Sequence, residues 1–180
     1  VGAVIAVQRV RLMAGKTEAA DALRWISSLL KEREIPFVVC GGLAAIGYGS
    51  RRALNDIDLF VPGAYFQRVI AAASAHILKP GRHYVGEGWN LEYVQFLYQG
   101  IKVEVGNAEG ARILDASTKQ WVFLPIDFDT VRYVRILGTE VPLMPAEELV
   151  DYKRVLDRPV DREDIEAIES QLPQHGPRGV

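Results

Sequence analysis

Asp56 and Asp58, one residue apart in Asp56-Ile57-Asp58-Leu59-Phe60-Val61, follow by thirteen residues a glycine pair, Gly41-Gly42, that ends an earlier apolar run. In an extended strand the side chains alternate faces, so Asp56, Asp58 and Phe60 point one way while Ile57, Leu59 and Val61 point the other. Two carboxylates on one face, about 6 to 7 Å apart along the strand, repel each other unless a positive charge sits between them. A hard cation such as Mg2+ meets that need. The glycines suit a different ligand: without Cβ atoms, backbone N–H groups can approach a polyphosphate at a helix N-terminus, where the helix dipole also favours anions. Alone, a Gly-Gly is usually a turn, Asp56 a capping or turn residue after Asn55, and Asp58 a satisfied polar residue near a strand end. Joined by a short helix they come to one edge of a sheet, a phosphate cradle beside a metal-binding pair.

Glu104, in the alternating stretch Lys102-Val103-Glu104-Val105, becomes a third carboxylate if its strand neighbours Asp56–Val61; Glu92 and Glu109 compete for that place. Three carboxylates suit a two-ion arrangement, one ion activating an attacking hydroxyl and the other holding a triphosphate. Arg51 and Arg52 follow the small helix within reach of phosphates, although paired loop arginines are commonly solvated. Lys153 lies four residues after Leu149, beside an apolar helical stripe, where a lysine can snorkel. Asp161, Glu163 and Asp164 complement the dipole of a helix start. His76, His83 and His175 have no metal-ligand spacing, and no Ser-His-Asp or Cys-His set can be argued.

The elements that must position these groups follow from periodicity. Thr17 is expected to cap a helix running to about Arg33, with Ala22, Leu23, Ile26, Leu29 and Leu30 at three-to-four spacing. Phe37–Cys40 reads as a buried strand, LAAIGY after the glycines as a short helix, Asp56–Val61 as a strand and Tyr65–Ala75 as a helix. Lys79–Asn90 reads as a loop or an edge hairpin of unreadable register. Leu91–Leu97 and Ile101–Val105 flank Gln99-Gly100, and Tyr133–Leu137 and Glu140–Leu143 flank Gly138-Thr139, two hairpin signals. Pro145 opens a helix containing Leu149, Val150, Lys153 and Leu156, another starts near Asp161, and the tail QHGPRGV reads as frayed.

The 180 residues, 49% hydrophobic and 24% charged, fit one soluble globular unit with a small helical addition. The expected division is a core over 1–144 and a helical extension over 145–180. A formal net charge of -2 advertises no global basic field for nucleic acid. Cys40, the single cysteine, excludes an internal disulfide framework and a cysteine-based zinc site and agrees with a reducing cytoplasm. The N-terminal VGAVIAV is too short to span a membrane before Gln8, Arg9 and Arg11 interrupt it.

Gly41-Gly42, Asp56-Ile57-Asp58 and a later strand acid together resemble the signature of the DNA polymerase β-like nucleotidyltransferase superfamily. The stretch VPLMPAEELVDYKRVLDRPVDREDI resembles the bacterial minimal nucleotidyltransferases of the AbiEii type, toxins of toxin–antitoxin pairs. The resemblance implies an α/β (α+β) nucleotidyltransferase fold: a small mixed sheet, flanking helices and a helical C-terminal extension. It implies Asp56 and Asp58 as Mg2+ ligands, Glu104 as third acid, Gly41 and Gly42 as the triphosphate-binding turn and Lys153 as a nucleotide or phosphate contact. Asp164 would be the acid of the last motif, with Asp161 competing. The implied enzyme moves a nucleoside monophosphate from an NTP to a hydroxyl of RNA, protein or a small molecule, and an antitoxin is the implied partner. Leu43 stands where many relatives carry serine or threonine, and Glu104 where aspartate is common. The alternative they keep open is a catalytically inert nucleotide-binding or protein-interaction module of the same fold.

Overall fold

The computed structural model describes residues 2–171, and their side chains from Lys16 onward. The chain begins with α1 (Gly2–Glu32), followed by β1 (Val38–Cys40), α2 (Gly41–Gly47), β2 (Asp56–Val61) and α3 (Gly63–Ala72). Then come β3 (Ile77–Gly86), β4 (Trp89–Tyr98), β5 (Ile101–Asn107), β6 (Arg112–Leu114) and β7 (Trp121–Phe123). A hairpin of β8 (Arg132–Ile136) and β9 (Thr139–Leu143) leads into α4 (Ala146–Leu156) and α5 (Pro159–Glu169). Thr17 is inside α1, not at its start: the preceding residues include good helix formers, and the lone Gly15 costs only about 1 kcal/mol, too little to end a helix. The expected fraying of 174–180 lies outside the described residues. Among those residues no helix is long and apolar enough to cross a membrane.

Among the described residues the nine strands join one mixed sheet, in the order β7-β6-β4-β5-β2-β1-β9-β8, with β3 paired to β4. The pairs β2–β5 and β1–β9 are parallel and the rest antiparallel. The sheet exceeds the small one expected because Ile77–Gly86 pairs along β4 and the short β6 and β7 extend that side. Three hairpin turns, Glu87-Gly88, Gln99-Gly100 and Leu137-Gly138, hold both central residues at positive φ. This is the primed turn geometry that matches the twist of antiparallel strands.

Alternation along β2 separates core from site. Ile57, Leu59 and Val61 are buried in the apolar cluster, together with Val103 and Val105 of β5, Val94 and Phe96 of β4, and Leu23, Ile26 and Leu30 of α1. Each such side chain contributes about 1.5–3 kcal/mol on burial, so a one-residue slip, which would turn the aspartates into this layer, is strongly disfavoured. Leu149, Tyr152 and Leu156 of α4 and Ile168 of α5 belong to the same cluster, and both helices pack on α2.

Candidate active site

The parallel pairing of β2 with β5 sets Asp58 opposite Glu104, and Asp56 is on the same face two residues earlier. One carboxylate oxygen from each of Asp56, Asp58 and Glu104 lies within 4.8 Å of the others. Burial and the neighbouring Asp56 and Glu104 push the Asp58 carboxyl up to about 8, against the opposing charges of Lys153 and Arg158. Burial likewise raises Glu104, partly offset by a hydrogen bond that Gln95 Nε2 donates to its Oε1. Among the described residues the buried Gln95 Oε1 has no hydrogen-bond partner. An unfilled acceptor and three crowded oxygens fit a hard divalent cation with its water shell. Glu92 instead accepts a bond from Asn107, and Glu109 donates its backbone N–H to the Asn107 side chain; neither joins the cluster.

The glycine pair abuts this cluster. Gly41, at φ +61°, begins α2 directly after β1, and a Cβ there would sit 2.1 Å from Asp58 Oδ2. Its N–H donates to the Tyr152 hydroxyl at 2.9 Å, so that donor is already engaged. At Gly42 a Cβ would meet Arg52 Nη2 at 2.3 Å, so the guanidinium lies directly over the second glycine. Gly41→Ala is therefore expected to displace the Asp58 carboxylate and reduce Mg2+-dependent nucleotide binding at least tenfold, with about 1–3 kcal/mol of backbone strain added. Titration calorimetry and thermal unfolding read both effects. Burial, then the charge of Asp58, raises the Cys40 thiol well above its ordinary value, which makes it a poor nucleophile.

At the back wall of the cleft α4 and α5 bring together a buried ion network. Lys153 donates to Asp161 Oδ1 at 3.2 Å and Asp164 Oδ2 at 2.9 Å, and the three side chains are 1%, 0% and 0% exposed. Asp164 also accepts from Ser50 Oγ at 2.9 Å and Arg52 Nε at 2.8 Å. Burial alone would raise Asp164, but the bonds from Arg52 and Lys153 outweigh it and hold the carboxyl below its usual value. Arg158 pairs with Asp161 at 2.7 Å and lies over the Trp89 ring, 5.9 Å from its centre.

Of the residues expected from sequence, Asp56, Asp58, Glu104, Gly41, Gly42, Arg52 and Lys153 line one cleft of about 610 Å3. Asp164 is just behind it, and Arg51 is exposed and outside it. Sequence reasoning passed over Gln95, Tyr152 and Arg158. For Gln95 the signal was available: the two-residue turn Gln99-Gly100 pairs Tyr98 with Ile101 and hence Gln95 with Glu104. Tyr152 is on α4 and Arg158 caps the start of α5, and no local pattern reveals how those helices dock.

No protein-family model and no curated protein sequence matches the chain. Among solved structures it is similar to a candidate nucleotidyltransferase from Thermotoga maritima, with a TM-score of 0.66 at 22% identity, covering 86% of this chain and 94% of that one. It is also similar to the lincosamide antibiotic adenylyltransferase LnuA in its lincomycin-bound form, with a TM-score of 0.56 at 12% identity over 83% of this chain and 96% of that one. A third similar structure is ANT(2″)-Ia in complex with adenylyl-2″-tobramycin, with a TM-score of 0.55 at 20% identity over 84% and 86%. A mixed sheet carrying three clustered acids on two parallel neighbours, a glycine turn leading into α2 and two closing helices thus make up a nucleotidyltransferase-like fold.

Proposed function

We propose that the protein transfers a nucleoside monophosphate from an NTP to a hydroxyl group and releases pyrophosphate. The observation that carries this reading is the convergence of Asp56, Asp58 and Glu104 beside the Gly41-Gly42 turn. Those three carboxylates would hold Mg2+, as a two-ion site, which supplies charge neutralisation for the triphosphate and acidifies the attacking hydroxyl. Gly42 offers close backbone approach to the β and γ phosphates, Gly41 shapes the turn, and Arg52 over Gly42 supplies positive charge. Lys153, buried between Asp161 and Asp164, supports the site from behind by fixing Arg52 through their shared carboxylate. In this reading Glu104 takes the acceptor proton, and Gln95, which donates a hydrogen bond to it, orients it.

Incubation with each α-labelled NTP, Mg2+ and RNA, protein or small-molecule acceptors, beside the double variant Asp56→Asn and Asp58→Asn, tests the reading. Label transfer by the wild type alone is the expected result. Transfer that persists in the double variant would remove the metal site from these residues. Nucleotide binding without transfer to any acceptor would favour the inert module. The resemblance of α4 and α5 to AbiEii-type toxins, with Lys153 on one helix and the acidic start of the next, supports a toxin restrained by an antitoxin. Growth arrest on expression, absent in the double variant, is the matching cellular result.

A further inference from the structure

The cleft floor continues past the carboxylates, away from Gly41, across β4 to the edge strand β3. One row of cross-strand partners runs Cys40, Asp58, Glu104, Gln95 and Lys79, and the next runs Phe60, Gly106, Tyr93 and Arg82. Lys79 and Arg82 are three positions apart, and in an unbroken strand such a pair points to opposite faces. Here the register shifts between them: three steps along β3, Lys79 to Arg82, match two along β4, Gln95 to Tyr93. The additional residue forms a β-bulge around Pro80-Gly81, and bulges beside active sites commonly re-aim side chains. Both cations thereby line the same cleft as the carboxylates. Gly81 is pressed against α3, since a Cβ there would lie 2.5 Å from Ile70 Cδ1, which anchors the bulge.

Lys79 and Arg82 are exposed, and among the described residues neither makes an ion pair or a side-chain hydrogen bond. The carboxylates nearest this side, among the described residues, are Glu87 at the exposed hairpin turn and Glu104, whose carboxyl the charge of Lys79 helps to hold down. Tyr84 and Tyr93 form an edge-on ring pair beside the cations, with centroids 5.5 Å apart. A polyamine such as tobramycin would be repelled by this wall, whereas an anion would be held by it.

We propose that the acceptor is a phosphate-bearing sugar, its phosphate held by Lys79 and Arg82 and its ring against Tyr93, with the hydroxyl directed to the carboxylate cluster. The inference rests on the nucleotidyl-transfer reading and names its acceptor class. Lys79 and Asp58 are three strand spacings apart, about 14 Å between backbones, and the long cationic side chain shortens the gap to the span of a phosphorylated sugar. In the reaction the acceptor oxygen bonds to the α-phosphorus and the α–β bridging P–O bond breaks. Pyrophosphate leaves with that electron pair, and the hydroxyl proton passes to Glu104 and then to water.

Calorimetric binding to the full chain, without NTP or Mg2+, compares ribose 5-phosphate, ribose, a tetraribonucleotide with a free 3′-hydroxyl, and tobramycin. The expected result is at least tenfold tighter binding of ribose 5-phosphate than ribose, falling to near equality in the Lys79→Ala, Arg82→Ala double variant at unchanged melting temperature. A further gain for the tetraribonucleotide identifies an RNA end as the source of the phosphate; no gain identifies a free sugar phosphate. Equal affinity for ribose and its phosphate, a preference unchanged in the double variant, or tighter binding of tobramycin than of either phosphate would overturn the proposal. Because no transfer step is involved, a phosphate preference without label transfer to any acceptor would sink the transferase reading and leave the subsite standing.

Discussion

Asp58→Asn is expected to lower Mg2+-dependent nucleotide transfer by on the order of a thousandfold while raising the melting temperature of the metal-free protein at pH 8. The two effects share one cause. Without a cation, Asp58 ionises against burial and against Asp56 and Glu104, and its carboxyl rises from an ordinary 3.8 to about 8. A carboxyl raised in the folded state contributes stability that is fully present below its unfolded pKa and is lost as pH rises through the folded one. The metal-free protein should therefore weaken between pH 4 and pH 8, by a few kcal/mol across the window. Asparagine removes the charge and with it the weakening, so the variant should have a flatter stability profile and no stabilisation by Mg2+. Thermal unfolding from pH 5 to 8, with Mg2+ and with EDTA, checks the prediction. A variant no more stable than wild type at pH 8 would show that Asp58 is not under this strain.

Lys153→Met should destabilise the protein by about 3 kcal/mol, near the lower end of the range for breaking a buried ion pair. Asp161 and Asp164 would lose their shared cation in a site closed to water. Arg158 remains on Asp161, and Arg52 with Ser50 on Asp164, which is why the lower end applies. In a domain of this size the melting temperature should fall by roughly 6–12 °C. The acid side should also change. Asp164, held low in the wild type, supports stability that is lost as pH falls through its folded pKa; without Lys153 that loss begins at higher pH. A variant of wild-type stability that no longer binds NTP would instead make Lys153 a direct phosphate contact. Urea unfolding beside nucleotide titration separates the two.

Local pattern made the site's centre legible. Period-two alternation in Asp56–Val61 assigns the aspartates and the core residues to opposite faces, and the structure keeps that assignment. The two-residue turn Gln99-Gly100 pairs Glu104 with Gln95, but the parallel neighbour of β5 is reached only through a long connection that carries no register signal. The same limit left Lys79–Asn90 as either a loop or an edge hairpin, because the bulge in β3 breaks the alternation that would fix its register, and it hid the three-residue strands β6 and β7, too short to show a period. Lys153 showed in sequence as a polar residue on an apolar stripe. Its partners, Asp161 and Asp164, are on the next helix, so their pairing depends on how α4 and α5 dock and not on spacing within either.

The parallel pairing of β2 with β5 also orders events during synthesis. When β2 leaves the ribosome it carries two acids and no third, because α3 and the whole β3–β4 hairpin are translated before Glu104. Arg52, already made, waits longer still for its anchor, Asp164 on the last described helix. A nascent chain thus holds the glycine turn and the aspartates early, and gains the third acid with β5 and the anchor of Arg52 only with α5.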